Sequence, residues 1–209
     1  MNKKTLLLSL LISLSIFFSY CHFTLLNLDA LQINEAKKTL TNTQINKILS
    51  KSSDSLYLNF ITVSLSILIR VVLVSFVLSI GSFLFNFKLL FKRIFSIVIV
   101  ADYIFLLPIL FEIVFFKFIN TKATIDDIEY FYPLSALNIV GYKGLEAWYI
   151  YPFQVLNLFE VAYIFILAYY IGKLTQTNTD RGLTIVSASY VPALVLWVVC
   201  VMFFTLSYS

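Results

Sequence analysis

Charged residues are scarce in this chain, and their scarcity excludes an ordinary soluble fold. Lys, Arg, Asp and Glu make up 12% of the 209 residues, whereas a soluble domain has about 25%. With 60% hydrophobic residues and a mean hydropathy of +0.92, a soluble fold would have to hide more apolar surface than its interior can hold. Lipid removes this conflict, so the composition indicates a membrane protein.

The residues that usually build catalytic and cofactor sites are equally sparse. His22 is the one histidine of the sequence, and there are only five glycines and two cysteines. The chain contains no glycine-rich phosphate loop, no His and carboxylate pair at metal-ligand spacing and no Gly-x-Ser-x-Gly sequence. We therefore expect no enzymatic activity, no cofactor and no metal. Nucleic-acid binding is not expected either, because the basic residues lie between hydrophobic runs and form no basic stripe.

Five hydrophobic runs come close to the roughly 20 apolar residues that a helix needs to cross a bilayer. They cover residues 5–25, 57–80, 94–116, 151–172 and 183–206. The sequence thus predicts an all-α polytopic transmembrane bundle of five helices, with residues 1–209 as a single membrane domain. Residues 26–56 and 117–150 form the two segments on the outer side.

The first run is either a retained helix or a secretory signal, since Lys3 and Lys4 precede its apolar core. We expect a retained helix, because "FFSYCHF" is bulky and contains no small-x-small cleavage site. Tyr20 before Cys21 also disfavours lipoprotein cleavage. Cys21 and Cys200 both fall near the predicted outer face, where they either form a disulfide or remain free thiols.

The distribution of Lys and Arg predicts that the N-terminus lies inside and the C-terminus outside. Seven basic residues fall on each side, but the inner seven occupy three short segments beside helix ends, and short flanking loops carry the most weight. Asp180 is the one acid on the inner side, whereas seven acids fall in the outer segments. No organelle-targeting sequence is evident, so the expected location is a bacterial-type inner (cytoplasmic) membrane.

The outer segment 26–56 has two possible structures. Its apolar residues recur at loose helical spacing, which is typical of an amphipathic helix lying on the membrane surface. A polar connector with a few apolar residues explains the pattern equally well. Threonines and serines favour a break near residues 39–44.

A permanent charge stands in the middle of the second run, in "SILIRVVLVSF". Arg70 lies ten residues from the inner end of its run and Asp102 eight residues from the inner end of the next, or about 15 Å and 12 Å at 1.5 Å per residue. Because a short loop makes these helices antiparallel neighbours, we expect an ion pair between them. The pair either fixes how the two helices dock or forms part of a transport or proton path. Otherwise Arg70 binds backbone carbonyls, water or lipid phosphate.

Two further acids lie within runs. Glu160 sits about 14 Å below the outer boundary with no cation at its depth, so we expect a protonated carboxyl or a hydrogen bond with Asn157 or a tyrosine. Glu112 lies near the outer end of the third run, within helical reach of Lys117, and is expected to be interfacial.

The outer segment 117–150 is rich in aromatic residues and leads into the fourth run through "YFYPLSALNIVGYKGLEAWYIYP". Its composition predicts a re-entrant or surface-lying segment, and its aromatics are candidates for contact with a protein partner. The candidate residues are Tyr130, Tyr132, Tyr142 and Trp148.

Residues 55–206 resemble bacterial Yip1-domain membrane proteins. The stretch "VLSIGSFLFNFKLLFKRIFSIVIVADYIFLLP" is similar to the second and third helices of that family, with a basic turn between two spans and a proline in the second. The stretch "VLNLFEVAYIFILAYYIGKLTQTNTDRGLTIVSASYVPALVLW" is similar to its fourth and fifth helices. The resemblance implies five helices, an N-terminus inside, and an integral membrane adaptor without known catalysis.

The sequence favours an integral membrane accessory or scaffold protein that acts by protein–protein or lipid association. Its expected partners are the lipid bilayer and either another protein or a second copy of the chain. A transporter or channel component is the alternative, in which Arg70, Asp102 and Glu160 line a polar cavity. A membrane-perturbing effector or its immunity protein is a third hypothesis.

Overall fold

The computed structural model describes residues 3–28, 30–31 and 42–208, and it describes side chains for residues 4–28, 30–31 and 58–208. Within these ranges the protein is helical and contains no strand, so the predicted all-α class is confirmed. The helices are α1 Lys3–Leu25, α2 Asn42–Leu84, α3 Phe91–Asp102, α4 Leu106–Val114, α5 Ile125–Glu129, α6 Leu137–Val140, α7 Ala147–Val155, α8 Leu158–Leu174 and α9 Thr179–Tyr208.

Four helical stretches of the described chain are long and apolar enough to cross a membrane. They are Lys4–Leu25, Leu58–Leu84, Phe91–Ile119 and Thr179–Tyr208. These stretches coincide with the first, second, third and fifth predicted runs, as expected of an integral membrane protein.

The fourth predicted run, residues 151–172, is divided in the structure between two helices. Helix α7 ends at Val155, and α8 begins at Leu158 and has only 17 residues. Asn157 causes the break: its backbone is extended, and its side-chain oxygen accepts a hydrogen bond from the backbone N–H of Glu160 at 2.8 Å. This is an N-cap, which begins a new helix instead of continuing the previous one.

The third stretch is not a uniform α-helix. A 3₁₀ turn at Tyr103–Phe105 separates α3 from α4, and Pro108 lies one turn further along. Proline has no N–H for the carbonyl four residues earlier, which explains the local break. The stretch ends in a π-helical turn at Phe115–Ile119.

The bundle is held together by an apolar core shared by its long helices. Helix α9 lies along α8 and also contacts α2, while α3 packs between α2 and α8. Helix α1 contacts α2, α3 and α4, and it inserts Leu11 into the core. The core side chains Val71, Val98, Leu167 and Val186 have no exposed surface, so the exposed apolar side chains lie on the outward faces of these helices.

Glycine permits a close approach of α8 and α9. A Cβ atom on Gly182 would overlap the carbonyl oxygen of Ala168. Similarly, a Cβ atom on Gly81 in α2 would overlap the side chain of Ser189 in α9. The three helices therefore meet with their backbones close together, as small residues allow in membrane bundles.

Contacts at the two ends of the bundle show which segments share a side. At one end, the Lys4 ammonium donates a hydrogen bond to the carbonyl of Lys92, and the Arg181 guanidinium lies 5.3 Å from the ring centroid of Phe85. At the other end, the Lys117 ammonium donates a hydrogen bond to the carbonyl of Leu25 at 3.5 Å. The segments predicted to lie inside therefore share the first end.

The first outer segment is described only in part. Residues 29 and 32–41, which carry much of the predicted amphipathic pattern and part of the predicted break, lie outside the described residues. From Asn42 onward the backbone is already helical and continues without interruption into the second span. Cys21 and Cys200 are free thiols.

Candidate functional site

The charged residue in the middle of the second span is paired with an acid of the third. Nη2 of Arg70 donates a hydrogen bond to Oδ2 of Asp102 at 2.8 Å, and Nε donates to the same oxygen at 3.2 Å. This is the contact that the matching depths predicted. The two side chains differ in surroundings, because the Asp102 side chain has no exposed surface whereas that of Arg70 is 38% exposed.

Aromatic side chains extend this ion pair across the bundle. The Arg70 guanidinium lies 4.3 Å from the ring centroid of Phe105. The ring centroids of Phe105 and Tyr163, which belongs to α8, are 4.9 Å apart. The Tyr163 ring in turn contacts Tyr190 on α9 at 5.5 Å. The Tyr190 hydroxyl donates a short hydrogen bond of 2.5 Å to Oε1 of Glu160. We call the following residues the polar cluster: Arg70, Asp102, Tyr163, Tyr190 and Glu160.

The start of α8 positions Glu160 within this cluster. Asn157 caps the helix, so Glu160 lies in its first turn. Asn157 is itself tied to the outer segment by an isolated β-bridge to Ser135 and by two flanking backbone bonds, from Ala136 N–H to the Leu156 carbonyl and from Leu158 N–H to the Leu134 carbonyl. The carboxyl group is thus fixed by backbone structure at the end of the bundle where α8 begins.

Two buried polar atoms of the cluster have no hydrogen-bond partner among the described residues. They are Oδ1 of Asp102 and the hydroxyl oxygen of Tyr163. Tyr163 is an electrostatic neighbour of Asp102, so the two groups belong to the same polar site. Buried polar atoms without partners are uncommon in proteins, so these two distinguish the centre of the cluster from the apolar core around it.

Glu112 has a different partner from the predicted one. Its Oε1 lies 3.0 Å from Nε2 of His22 on α1, an ion-pair distance when the imidazole is protonated. Lys117 instead bonds the carbonyl at the end of α1. Both contacts tie the outer end of α1 to the third span, so Glu112 belongs to helix docking and not to the polar cluster.

The aromatic residues predicted to contact a partner are largely engaged within the outer segment. The rings of Tyr130 and Tyr142 stack at 4.9 Å, and Trp148 stacks on Tyr149 at 3.6 Å. Tyr132 is partly buried beneath the segment, with Glu160 among its electrostatic neighbours. These contacts fold residues 125–157 into a cap over the end of the bundle where α8 begins.

Hydrogen bonds to Asp127 order the first part of this cap. Asp127 accepts from the backbone N–H and the hydroxyl of Thr124 at 2.9 and 2.8 Å, and from the Tyr142 hydroxyl at 2.8 Å. The bond from the Thr124 backbone, followed by those from the two hydroxyls, lowers the pKa of Asp127 below its usual value. The hydrogen bond that Tyr142 donates to Asp127 is also the main reason why the pKa of Tyr142 is raised to about 12.

The cap also exposes apolar side chains at its surface. Ile139 is 88% exposed, Val140 is 54% exposed and Leu134 is 50% exposed. Leu134 has a positive φ of 56°, which is unfavourable for a residue with a Cβ atom. Here the apolar candidates for contact are aliphatic, and the aromatics mainly hold the cap together.

Sequence patterns alone did not identify Tyr163 and Tyr190 as members of the cluster. Tyr163 follows Glu160 by three residues on one helix, which places both on the same face. Tyr190 carried no such signal, because it comes from a helix that is apolar on nearly every side.

Surface depressions at the two ends of the bundle do not reach the polar cluster. One lies beside Lys4 and Phe91, and the other lies within the cap beside Phe116 and Tyr130. Among the described side chains, no group of three His, Cys, Asp or Glu residues is close enough to hold a metal ion.

No family model, curated protein or solved structure matches this chain. The resemblance to Yip1-domain proteins therefore stays a prediction from the sequence.

Proposed function

We propose that the protein is a small integral membrane protein of five spans that acts by association, as an accessory or scaffold subunit without catalysis. Its N-terminus lies inside, its C-terminus lies outside, and the host membrane is of the bacterial inner-membrane type. The resemblance to Yip1-domain adaptors is consistent with this role.

Helix α8 supplies the remaining span, the fourth in chain order. Its 17 residues correspond to about 26 Å at 1.5 Å per residue, close to the thickness of the hydrocarbon core. It is also covered by α9 and α3, so little of its backbone and only part of its surface meet lipid. A helix that is short but covered by its neighbours can cross a membrane, even though its length and hydropathy alone would not identify it as a span.

The charges of the described residues support the orientation. The end that contains Lys4 and Arg181 carries six basic side chains and one acid, whereas the end that contains the cap carries three basic side chains and four acids. Excess Lys and Arg in short loops marks the cytoplasmic side.

Labelling of single cysteines tests this orientation. In a Cys21→Ser/Cys200→Ser background, a membrane-impermeant maleimide should label Lys143→Cys in intact cells and Lys88→Cys only after permeabilisation. The reverse pattern would overturn the orientation, and labelling of both from outside would overturn the number of spans.

The observation that carries the association role is the exposed apolar surface of the cap. Leu134, Ile139 and Val140 are held outside the bundle by a hydrogen-bonded segment, where water or headgroups would otherwise surround them. Exposed apolar patches on ordered segments are typical of interaction sites.

A photo-crosslinking residue at position 139 tests this role, with position 122 as the control because Lys122 is an exposed polar residue of the same segment. We expect position 139 to cross-link one stoichiometric protein partner or a second copy of the chain in native membranes, and position 122 to cross-link none. Cross-links to lipid alone, or equal products at both positions, would contradict an association through the cap.

A transporter or channel component is the second candidate, favoured by the 38% exposure of the Arg70 side chain beside a fully buried Asp102. In that case Glu160→Gln should abolish flux in reconstituted vesicles, whereas changes at Ile139 should have no effect. A scaffold should show the opposite sensitivity in its complex formation.

A further inference from the structure

The polar cluster contains more acids than it has cations to balance them. Arg70 is the one Lys, Arg or His side chain within the cluster, and the other described basic residues lie towards the ends of the bundle or in the cap. Two carboxyl groups, those of Asp102 and Glu160, share this single cation. An uncompensated carboxylate in hydrocarbon is costly, so one of the two acids needs a second positive charge or a proton.

The contacts assign the cation to Asp102. Both hydrogen bonds from the Arg70 guanidinium end on Oδ2 of Asp102, whose side chain has no exposed surface. Glu160 is bonded instead to a neutral phenol, through the 2.5 Å contact with Tyr190. No described Lys, Arg or His side chain forms an ion pair with Glu160.

Among the side chains that the structure describes, Glu160 is surrounded by several polar groups but by no cation other than Arg70. Tyr190 of α9 bonds it directly, and its further electrostatic neighbours come from the cap, α2 and α3. They are Tyr132, Tyr151, Arg70 and Asp102. Phenols can stabilise either form of a carboxyl group, whereas Asp102 repels a second negative charge.

We propose that the polar cluster is a proton-binding site that holds one exchangeable proton on Glu160. The Glu160 carboxylate takes up a proton to form a neutral carboxylic acid, and no redox partner or leaving group is involved. The buried, unpartnered Tyr163 hydroxyl and Asp102 Oδ1 lie on the inner side of this site. They extend the hydrogen-bonding groups from Glu160 towards the middle of the membrane.

Access to the proton is from the outer side. Glu160 lies in the first turn of α8, beneath the cap, and its side chain is partly exposed whereas that of Asp102 is fully buried. The β-bridge between Ser135 and Asn157 joins the cap to this same turn. The site does not depend on whether the whole protein acts by association or by transport.

Infrared difference spectroscopy of the full chain in lipid membranes tests the proposal, because a protonated carboxylic acid has its own C=O stretching band. Spectra are recorded from about pH 4 to about pH 9, which spans ordinary and buried glutamic acids. The exposed acids contribute to the spectra of every variant, so we expect the wild type to show, relative to Glu160→Gln, one additional titrating band with the amplitude of one carboxyl group per chain. This band should be lost in Glu160→Gln and retained in the control Glu112→Gln, which changes the other glutamic acid of the predicted spans.

Tyr190→Phe provides a second variant that leaves Glu160 in place. Loss of the phenol hydrogen bond should move both the frequency of the band and its titration midpoint. The proposal is overturned if no such band titrates, if the band persists in Glu160→Gln, or if it disappears in Glu112→Gln or Asp102→Asn instead.

Discussion

Replacing Arg70 by Leu should destabilise the bundle more than any other single change of a charge. The Asp102 carboxylate would then be left without a cation in a place with no exposed surface. Removing one partner of a buried pair typically costs about 3–5 kcal/mol. Since the Arg70 side chain is 38% exposed, we expect the lower end of this range, about 3 kcal/mol.

Asp102→Asn in the same background should recover part of that loss, because it removes the uncompensated charge and keeps the shape of the side chain. The free energy of unfolding can be measured by titrating purified protein in mild detergent with a denaturing detergent while following tryptophan fluorescence. The four-variant cycle should give a coupling of at least ~1 kcal/mol. Arg181→Leu is the control, since its guanidinium is exposed over Phe85 at the bundle end. If the Arg70 and Arg181 variants unfold alike, or if the two cluster changes are additive, the pair does not hold these helices together.

Two further changes test the packing and the cap. Gly182→Val should lower the free energy of unfolding by about 1–3 kcal/mol, because the valine side chain would overlap the Ala168 carbonyl. Thermal denaturation measures this loss, and the control Ser187→Val, at an exposed position of the same helix, should show none. Because the folded cap lowers the pKa of Asp127, its stabilisation is present above the ordinary Asp value and is lost as the pH falls through the lowered one. The protection factors of backbone amides in residues 124–142, which correct for the intrinsic pH dependence of hydrogen exchange, should therefore fall on acidification, and they should fall at higher pH in Tyr142→Phe than in the wild type. Equal exchange profiles would contradict a role for this bond.

The Arg70–Asp102 contact was predictable because helical rise is constant. Counting residues from the ends of two adjacent antiparallel spans gives two depths that agree within one turn, and no information on helix rotation is needed. The hydrogen bond between Glu160 and Tyr190 could not be predicted by counting residues in this way. It depends on how α9 is rotated about its axis, and a helix that is apolar on most faces carries little information about which face meets its neighbours.

The break before α8 was predictable in principle. Asn157 followed three residues later by Glu160 is a pattern typical of a helix start. This pattern lies inside the apolar run 151–172, whose length favours a single continuous helix. The apolar tip of the cap was less accessible to prediction. Hydropathy would assign Ile139 and Val140 to a buried position, yet both are exposed. Positive φ values at Leu134 and Gly141, which hydropathy does not predict, flank this part of the chain.

The close backbone contact between α8 and α9 has a consequence for how the chain enters the membrane during synthesis. Helix α8 is short, Asn157 caps its start and Glu160 lies in its first turn. We therefore expect the translocon to release α8 alone into lipid inefficiently. Helix α9 follows α8 after a short turn and packs closely against it, with Gly182 of α9 beside the backbone of Ala168 in α8. We expect the two to partition into the bilayer together as a helical hairpin, so that truncation before α9 leaves α8 uninserted in a glycosylation-mapping assay.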